Sequence, residues 1–565
     1  MKWPTVAPLF CLLSLLSGCQ LAPPKADLIV QSGRILTSNP AQPQVSAVAV
    51  RGGKIVALGS NAHIQQWQGA QTEVIDLGGK MALPGLLDSH LHSIEGALAL
   101  DACSMDDEKL GLAELTQRIR QCAAQQPGND WLQVLNVRSV GTELSRQQLD
   151  QILPERPLFV VSTDAHTAWV NSLGLQLAGV TASTVAPDNG KIGLDDSGQL
   201  SGVLLDGATA LVSKVIPDMP LDQRVSALSR VISQLHAAGI TGYLEANSNA
   251  ASITTFCAMA AKGLLNAHVT ISLGSDGQAT DAEFTRLDAL RQQARDCGVQ
   301  ADTIKLFADG VMEYPTQTAA LTKPYLDLHG HTTGNTGPLY LPDEQLKRFS
   351  TMALQRGFSL HVHAIGDGAV HEVLDAFAYA RAAVPDSPAR LSMAHLQLIE
   401  PADYARFAEL DVLASLQLLW AQPDEYSVDA VRPYIGDERH QRLYPAASLR
   451  NAGATIAGGS DWNVSTFNPF AAMAVGRGRT NLDHPEAGSL NANEALSLTD
   501  LLQAYTHNAA ILMGQQQQIG QLKVGMNADL IVLSSPLDES SSAADIAATQ
   551  VVLTVFQGRV VYGQP

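Results

Sequence analysis

Short β-branched hydrophobic runs occur near both ends of the chain. They occupy residues 27–36, 47–50, 53–59, 528–533 and 551–562. Glycine and proline separate the runs, which is typical of antiparallel strands joined by tight turns. Two β-rich ends that enclose a long middle predict a small β-sandwich built from both termini, over residues 19–82 and 516–565.

The middle of the chain alternates apolar runs with amphipathic stretches. Helical spacing of apolar residues marks residues 220–238 and 367–383, for example. The strand-like runs begin at residues 80, 240, 267, 303, 358, 390, 412 and 454. Repeated strand–helix units favour parallel strands, and eight of them predict an α/β fold of the TIM (β/α)8 barrel type. We assign this barrel to residues 83–94 and 219–515.

One segment is too long for a minimal barrel. Residues 95–218 separate the first two predicted barrel strands, which is far beyond the usual length of a βα loop. The segment has strand-like runs of its own at 131–137 and 158–162. We therefore predict an inserted α/β subdomain beside the barrel mouth.

Charge excludes one class of partner. The chain has 36 Lys and Arg residues against 55 Asp and Glu residues, a formal net charge of −19. A surface of this sign repels a phosphate backbone, so nucleic acid is not an expected partner.

The N-terminus resembles a bacterial lipoprotein signal. An apolar run at 6–16 follows a lysine and is too short to span a bilayer as a helix. It ends in Leu16-Ser17-Gly18-Cys19, which resembles the lipobox, whose cysteine is lipidated. We expect residues 1–18 to be a signal peptide and Cys19 to carry a lipid anchor; an ordinary cleaved signal is the alternative. Gln20 is not the aspartate that favours inner-membrane retention, so we expect the outer membrane, facing the periplasm.

Four cysteines remain once the signal and the lipidated residue are set aside. They are Cys103, Cys122, Cys257 and Cys297. An oxidising compartment permits disulfides, and four cysteines allow three pairings. We predict the sequence-local pairing, Cys103–Cys122 and Cys257–Cys297; free or buried thiols are the alternative.

Polar residues that bind metals stand at the ends of several predicted barrel strands. His90 and His92 are two residues apart, so on a strand they face the same side. A lysine lies inside an apolar strand, and other candidates end separate strands; the further members are Lys305, His363, His395 and Asp461. Barrel enzymes collect catalytic groups at the carboxyl ends of their strands. Four histidines, a lysine and an aspartate there suit a pair of borderline metals such as Zn²⁺.

The order of these residues resembles that of the amidohydrolase superfamily. Their surrounding phrases are similar to the YtcJ-like branch, amidohydrolase family 3, which includes N-substituted formamide deformylases. The phrases are Pro84-Gly-Leu-Leu-Asp-Ser-His-Leu-His, Ile304-Lys-Leu-Phe-Ala-Asp-Gly, Val362-His-Ala-Ile-Gly-Asp-Gly-Ala-Val, Gly459-Ser-Asp, Ala504-Tyr-Thr-His-Asn-Ala-Ala and Gly520-Gln-Leu-Lys-Val-Gly-Met-Asn-Ala-Asp-Leu-Ile-Val-Leu. The resemblance covers nearly the whole mature chain.

The resemblance implies a role for each candidate. His90, His92 and Asp461 would bind one Zn²⁺, and His363 and His395 would bind a second. Lys305, if carbamylated, would bridge the two metals. The alternatives are that Lys305 pairs with Asp309 or Glu313, or that Glu313 itself bridges. Asp461 would act as general base and take a proton from the metal-bound water, which leaves hydroxide to attack. It would then act as general acid and give that proton to the leaving amine.

Other polar residues are candidates for substrate binding. His166 matches a phrase of the family's insertion, although capping a local helix is an equal alternative. Glu313, Tyr314 and Trp420 would line the pocket, and Arg477 or Arg479 would bind a carboxylate unless they form surface ion pairs. His361 shares a strand face with His363 and is assigned to support or packing. Asp367 would orient a ligand histidine or cap a helix.

The favoured function is hydrolysis of a C–N bond in a small-molecule amide, such as an N-formyl or N-acyl compound. Hydrolysis of a cyclic amide or deamination would use the same site. A ligand-binding lipoprotein without catalysis is the alternative from another class. Dimers are the commonest oligomers, so a homodimer is the expected assembly if the chain associates.

Overall fold

Eight parallel strands form the central sheet of the protein. In this computed structural model, which describes Met1 and residues 25–100, 102–187 and 189–564, they follow one another around the sheet in chain order. The strands are β1 (Leu86–Leu91), β2 (Ile240–Ser248), β3 (His268–Gly274), β4 (Gln300–Phe307), β5 (Ser359–Ala364), β6 (Leu391–His395), β7 (Val412–Leu416) and β8 (Ile456–Gly458). The backbone N–H of Asp461, shortly after β8, donates to the carbonyl of His90 on β1 at 2.8 Å. The nearly closed ring confirms the predicted TIM-type barrel.

Helices pack around the outside of this barrel. The helix Leu221–Ala237 shows why: Val225, Leu228, Val231, Ile232 and Leu235 recur every three or four residues and are all buried. Further helices of the chain are Ser93–Ala99, Ala250–Ala261, Asp281–Asp296, Asp343–Gln355, Asp367–Ala383, Tyr404–Glu409, Arg432–His440, Ala446–Asn451, Pro469–Gly478, Leu498–Ala504, His507–Met513 and Ala543–Ala547. Because the helices cover the apolar outer face of the strands, the polar strand ends at the mouth are left to form a site.

Two further sheets bring the ends of the chain together. One comprises Lys54–Gly59, Ala47–Arg51, Leu28–Gln31 and Glu73–Asp76. The other comprises Arg559–Gly563, Val551–Phe556, Leu530–Leu533, Met81–Pro84, Arg34–Leu36 and Gln44–Val45. Residues of both sheets share one apolar core, which includes Val30, Val48, Leu530 and Val555. This is the sandwich expected from the two β-rich termini.

A separate six-stranded sheet lies within the segment between β1 and β2. Its strands, in order, are Gly190–Leu194, Leu200–Asp206, Thr167–Val170, Leu158–Ser162, Leu132–Val137 and Cys103–Ser104. Helices Leu112–Gln125, Arg146–Ile152 and Ser172–Leu177 accompany it. Arg138 pairs with Glu425 at 2.6 Å, and Tyr426 donates to Asp107 at 2.6 Å. These bonds fasten the inserted subdomain to the loop that follows β7.

Both disulfides predicted from the sequence are present, Cys103–Cys122 and Cys257–Cys297. The predicted signal peptide and the lipidation site Cys19 lie outside the described residues. Within the described part of the chain, no helix combines the length and apolar character that crossing a membrane requires.

Candidate metal centre

His90 and His92 meet Asp461 where the first and last barrel strands adjoin. His90 is on β1 and fully buried, and His92 directly follows the strand. The Nε2 atoms of His90 and His92 lie 3.3 Å and 3.1 Å from Oδ1 of Asp461. Neither ring is aligned for a hydrogen bond to that oxygen, which has no hydrogen-bond partner among the described residues.

A second buried carboxylate fixes this seam. Oδ1 of Asp88 accepts from the backbone N–H groups of His90 at 3.0 Å and Ser460 at 3.1 Å. Burial raises the pKa of Asp88 to about 7, although these bonds oppose the rise. Asp461 itself has a left-handed backbone with φ 54°. Such backbone strain concentrates at functional sites, where the surrounding structure holds it in place.

His363 and His395 form the opposite side of the cluster. Their ring centroids are 4.4 Å apart, and Nδ1 of His395 lies 3.9 Å from Oδ2 of Asp461. Nε2 of His363 lies 3.0 Å from the carbonyl oxygen of Gly310. A carbonyl only accepts, so this nitrogen donates and the lone pair of the neutral ring is on Nδ1. His395 also has a left-handed backbone, with φ 78°.

Lys305 is buried on β4, with 1% of its surface exposed. Burial lowers its pKa to about 8, against the attraction of Asp461 and Glu95. The alternative partners named from the sequence are engaged elsewhere: Asp309 accepts three backbone N–H groups, and Glu313 accepts from Gln397 at 3.4 Å. No ion pair of Lys305 occurs in the described part of the chain. A lysine with a lowered pKa is more often a neutral amine, the form that reacts with carbon dioxide.

The donor atoms of this cluster fit a metal ion. One ring nitrogen of His90, one of His395 and an oxygen of Asp461 lie within 4.8 Å of one another. Among the described residues, His90 Nε2, His395 Nδ1 and Asp461 Oδ1 are buried without a hydrogen-bond partner. Buried polar atoms are rarely left unpaired without a functional reason. Imidazole nitrogen and carboxylate oxygen are ligands that Zn²⁺ accepts.

The protonation states agree with metal binding. Burial lowers the pKa of His90 to about 3 and holds those of His363 and His395 well below their usual value, so these rings are neutral, as ligands must be. Burial would raise the pKa of Asp461, but His90 and His92 hold it well below its usual value. His92 differs: burial opposes its charge, yet Glu95 and Asp461 raise its pKa to about 9. A cation at the site would therefore replace a proton on His92.

Two of the candidate substrate-binding residues lie against the cluster. His166 reaches over from the inserted subdomain, with its ring centroid 5.6 Å from that of His363. Its Nδ1 is 2.5 Å from Oδ1 of Asp206, whose backbone has φ 50° and ψ −129°. Trp420 stacks on His395 with centroids 5.4 Å apart and planes within 3°.

The other candidates have different surroundings. Tyr314 is 47% exposed and stacks on Tyr434. Arg477 donates to the carbonyl oxygens of Leu496 and Glu539, and among the described residues no contact joins it to the histidines.

Arg479 and Asp367 form hydrogen bonds with nearby groups outside the histidine cluster. Arg479 is fully buried and donates to the carbonyls of Leu490, Tyr444 and Leu443. Asp367 accepts from the backbone N–H and hydroxyl of Thr322, not from a ligand histidine.

Several residues of the site were not found from the sequence. Asp206 is far from His166 in sequence and reaches it only through the pairing of their strands. Gln417, at the end of β7, is 2% exposed, and neither polar atom of its amide has a hydrogen-bond partner among the described residues. Asp88 was present in the quoted histidine phrase, and its position two residues before His90 was the available signal.

The chain is similar in sequence and in fold to several known proteins. The chain is 28% identical to the putative amidohydrolase YtcJ of Bacillus subtilis, covering 92% of this chain and 96% of that protein. It is 25% identical to an N-substituted formamide deformylase of Arthrobacter pascens, over 95% of this chain and 98% of that protein. A crystal structure of an uncharacterised metal-dependent hydrolase from Pyrococcus horikoshii OT3 shares the fold, with a TM-score of 0.69, 22% identity and coverage of 94% of this chain and 99% of the other. The model of the Amidohydrolase family matches residues 73–562. The chain therefore belongs to the Amidohydrolase family.

Proposed function

We propose that this protein is a metal-dependent hydrolase that cleaves the C–N bond of a small N-formyl or N-acyl amide. The observation that carries the proposal is the set of buried, unpaired ligand atoms around Asp461 at the mouth of the barrel. Its relative from Arthrobacter pascens is named for the deformylation of N-substituted formamides, which supports an amide as the substrate class.

Six side chains would hold the metal ions. His90, His92 and Asp461 would bind one ion, and His363 and His395 the other, with the carbamylated amine of Lys305 between them. Zn²⁺ suits this mixture of nitrogen and oxygen donors. When bound, such ions polarise a carbonyl and make water nucleophilic at neutral pH.

Asp461 is the group that moves the proton. Its Oδ1 lies beside two ligand histidines, and the positive charge near it keeps it ionised, so it can accept a proton from the attacking water. The same oxygen can then give that proton to the departing amine nitrogen. Without the proton, this nitrogen would have to depart as an anion, which is a poor leaving group. His166, beside His363, and Trp420, beside His395, would border the substrate.

Metal analysis and a substrate panel test this proposal together. Protein purified without chelators is analysed for metal content and assayed with N-formyl, N-acetyl and longer N-acyl amines and amino acids, following release of acid and amine. We expect about two Zn²⁺ per chain and turnover of at least one amide class. Protein that retains no metal and hydrolyses no amide would overturn the proposal in favour of a binding protein. Turnover confined to cyclic amides or amino-heterocycles would move the reaction to those substrates.

A further inference from the structure

A chain of buried contacts leads from His90 away from Asp461 into the barrel. Nδ1 of His90 lies 2.7 Å from Nε2 of His361, and Nδ1 of His361 lies 2.8 Å from the hydroxyl of Ser392. That hydroxyl donates to the backbone carbonyl of Leu360 at 3.0 Å. His90 and His361 have no solvent exposure, and Ser392 has 3%.

The directions of these hydrogen bonds follow from the last one. A carbonyl oxygen can only accept, so the single hydrogen of the Ser392 hydroxyl points to Leu360. The hydroxyl must then accept from Nδ1–H of His361. His361 is fully buried and no carboxylate contacts its ring among the described residues, so a charged ring would be unpaired; the ring is neutral and carries one hydrogen. Nε2 of His361 is therefore an acceptor, and His90 donates to it from Nδ1.

The same reasoning fixes the state of the other His90 nitrogen. With its hydrogen on Nδ1, neutral His90 presents a lone pair on Nε2, the atom that faces Asp461. The opposite tautomer would place a hydrogen on Nε2, where no hydrogen bond to a described residue is formed. It would also leave the contact between Ser392 and the Leu360 carbonyl without a hydrogen. Both ends of the chain of contacts therefore select one tautomer.

We propose that His361 is a positioning residue which, held by Ser392, keeps the hydrogen of His90 on Nδ1 and so leaves Nε2 free to bind a metal ion. This inference rests on the proposed function, since the metal ion is the ligand concerned. His361 is not itself a ligand, because both of its ring nitrogens are used in the hydrogen-bond chain. Its position two residues before His363 on β5 explains why it shares the face of a ligand without being one.

Partners of this kind have measurable effects. A group that orients a ligand histidine and fixes its tautomer commonly contributes about 10- to 100-fold to metal affinity. Because His361 lies behind His90 rather than beside the substrate, its loss should appear first in metal binding.

Replacement variants separate this role from mere filling of space. In His361→Gln the amide oxygen can accept from His90 and the amide N–H can donate to Ser392. His361→Leu fills the space with an apolar side chain that can form no hydrogen bond. Ser392→Ala removes the hydroxyl that accepts from His361 and so sets the direction of these hydrogen bonds, and it changes the side-chain volume little. His236→Leu, a buried histidine that bonds the Asn266 carbonyl outside the barrel mouth, is the matched control.

The experiment measures Zn²⁺ affinity of chelator-treated protein by competition with a chromophoric chelator, and the visible spectrum after Co²⁺ loading. We expect His361→Leu to bind the first ion about 10- to 100-fold more weakly, with an altered Co²⁺ spectrum. Ser392→Ala should weaken binding in the same direction, whereas His361→Gln and His236→Leu should resemble the natural protein.

Each result decides between distinct outcomes. Unchanged affinity in Ser392→Ala and His361→Leu would overturn the inference while leaving the proposed function intact. Loss in His361→Gln equal to that in His361→Leu would also overturn it, because hydrogen bonding would then not be the cause. If His361→Leu does not fold, Ser392→Ala decides. Natural protein that binds no metal would overturn both the inference and the proposed function.

Discussion

The terminal sandwich and the barrel mouth use buried aspartates in opposite ways. Asp529, beside the sandwich strand Leu530–Leu533, has both oxygens occupied: one accepts from the backbone N–H of Gln557 at 2.8 Å, and the other lies 2.8 Å from Nε2 of His268. Asp461 is equally buried and also surrounded by histidines, yet its Oδ1 has no hydrogen-bond partner among the described residues. Asp529 thus has both oxygens paired with protein groups, one of them on barrel strand β3, whereas Asp461 has an unpaired buried oxygen at the mouth.

The backbone follows the same division. Two of the site residues, His395 and Asp461, have φ values of 78° and 54°, which cost free energy in residues with a side chain. The sandwich core, by contrast, consists of apolar side chains packed between two sheets. We therefore expect stability and chemistry to depend on different regions, so that substitutions in each affect different measurements.

The largest contrast should come from exchanging one aspartate at a time for asparagine. Asp461→Asn removes the proton acceptor, so kcat for an amide substrate should fall by about 10²- to 10⁴-fold. Asp529→Asn should leave kcat unchanged and lower the free energy of unfolding by about 1–3 kcal/mol, because a paired buried charge is lost. Steady-state kinetics and denaturant unfolding measure both. Full activity in Asp461→Asn would contradict its proposed role.

A core substitution in the sandwich should destabilise the protein without altering chemistry. Leu530 is fully buried between the sheets, so Leu530→Ala should lower the free energy of unfolding by about 2–5 kcal/mol through lost burial and the cavity left behind. Below the melting transition, kcat and metal content should match those of the natural protein. A parallel loss of metal would show that the two regions are coupled.

The inserted subdomain should contribute less to activity than Asp461, and its contribution should come from the pair His166 and Asp206. Asp206→Asn keeps the acceptor for His166 and removes the charge, so kcat/KM should fall by about 10-fold, the usual effect of losing a charged hydrogen bond. If His166 and Asp206 act together, the double variant His166→Ala/Asp206→Asn should be no worse than His166→Ala alone. Multiplying losses in the double variant would contradict a shared role.

The sequence predicted the barrel because strand and helix periods alternate, and it predicted the histidines because each stands at a strand end. It did not find Asp206 or the proposed role of Ser392, since the contacts of both depend on side-chain directions set by packing between strands. His361 and His363 have the same residue type and lie on the same face of β5, and only the three-dimensional hydrogen bonds distinguish the proposed positioning residue from the proposed ligand. The partners of the arginine candidates could not be predicted for a similar reason: a guanidinium can bond any nearby carbonyl, and spacing does not say which.

Substitution of Arg477 should have the smallest effect on activity, and it tests how far the substrate pocket extends from the histidine cluster. Its guanidinium donates to the carbonyls of Leu496 at 3.3 Å and Glu539 at 2.7 Å. It therefore joins the loop before the helix Leu498–Ala504 to the loop before the helix Ala543–Ala547. Arg477→Ala should therefore leave KM for acidic and neutral amides unchanged and lower the free energy of unfolding by about 1 kcal/mol. Kinetics with an N-acyl amino acid and with the matching N-acyl amine measure this directly. A rise in KM for the acidic substrate alone would mean that Arg477 binds a carboxylate, and the substrate pocket would then extend to the helix Pro469–Gly478.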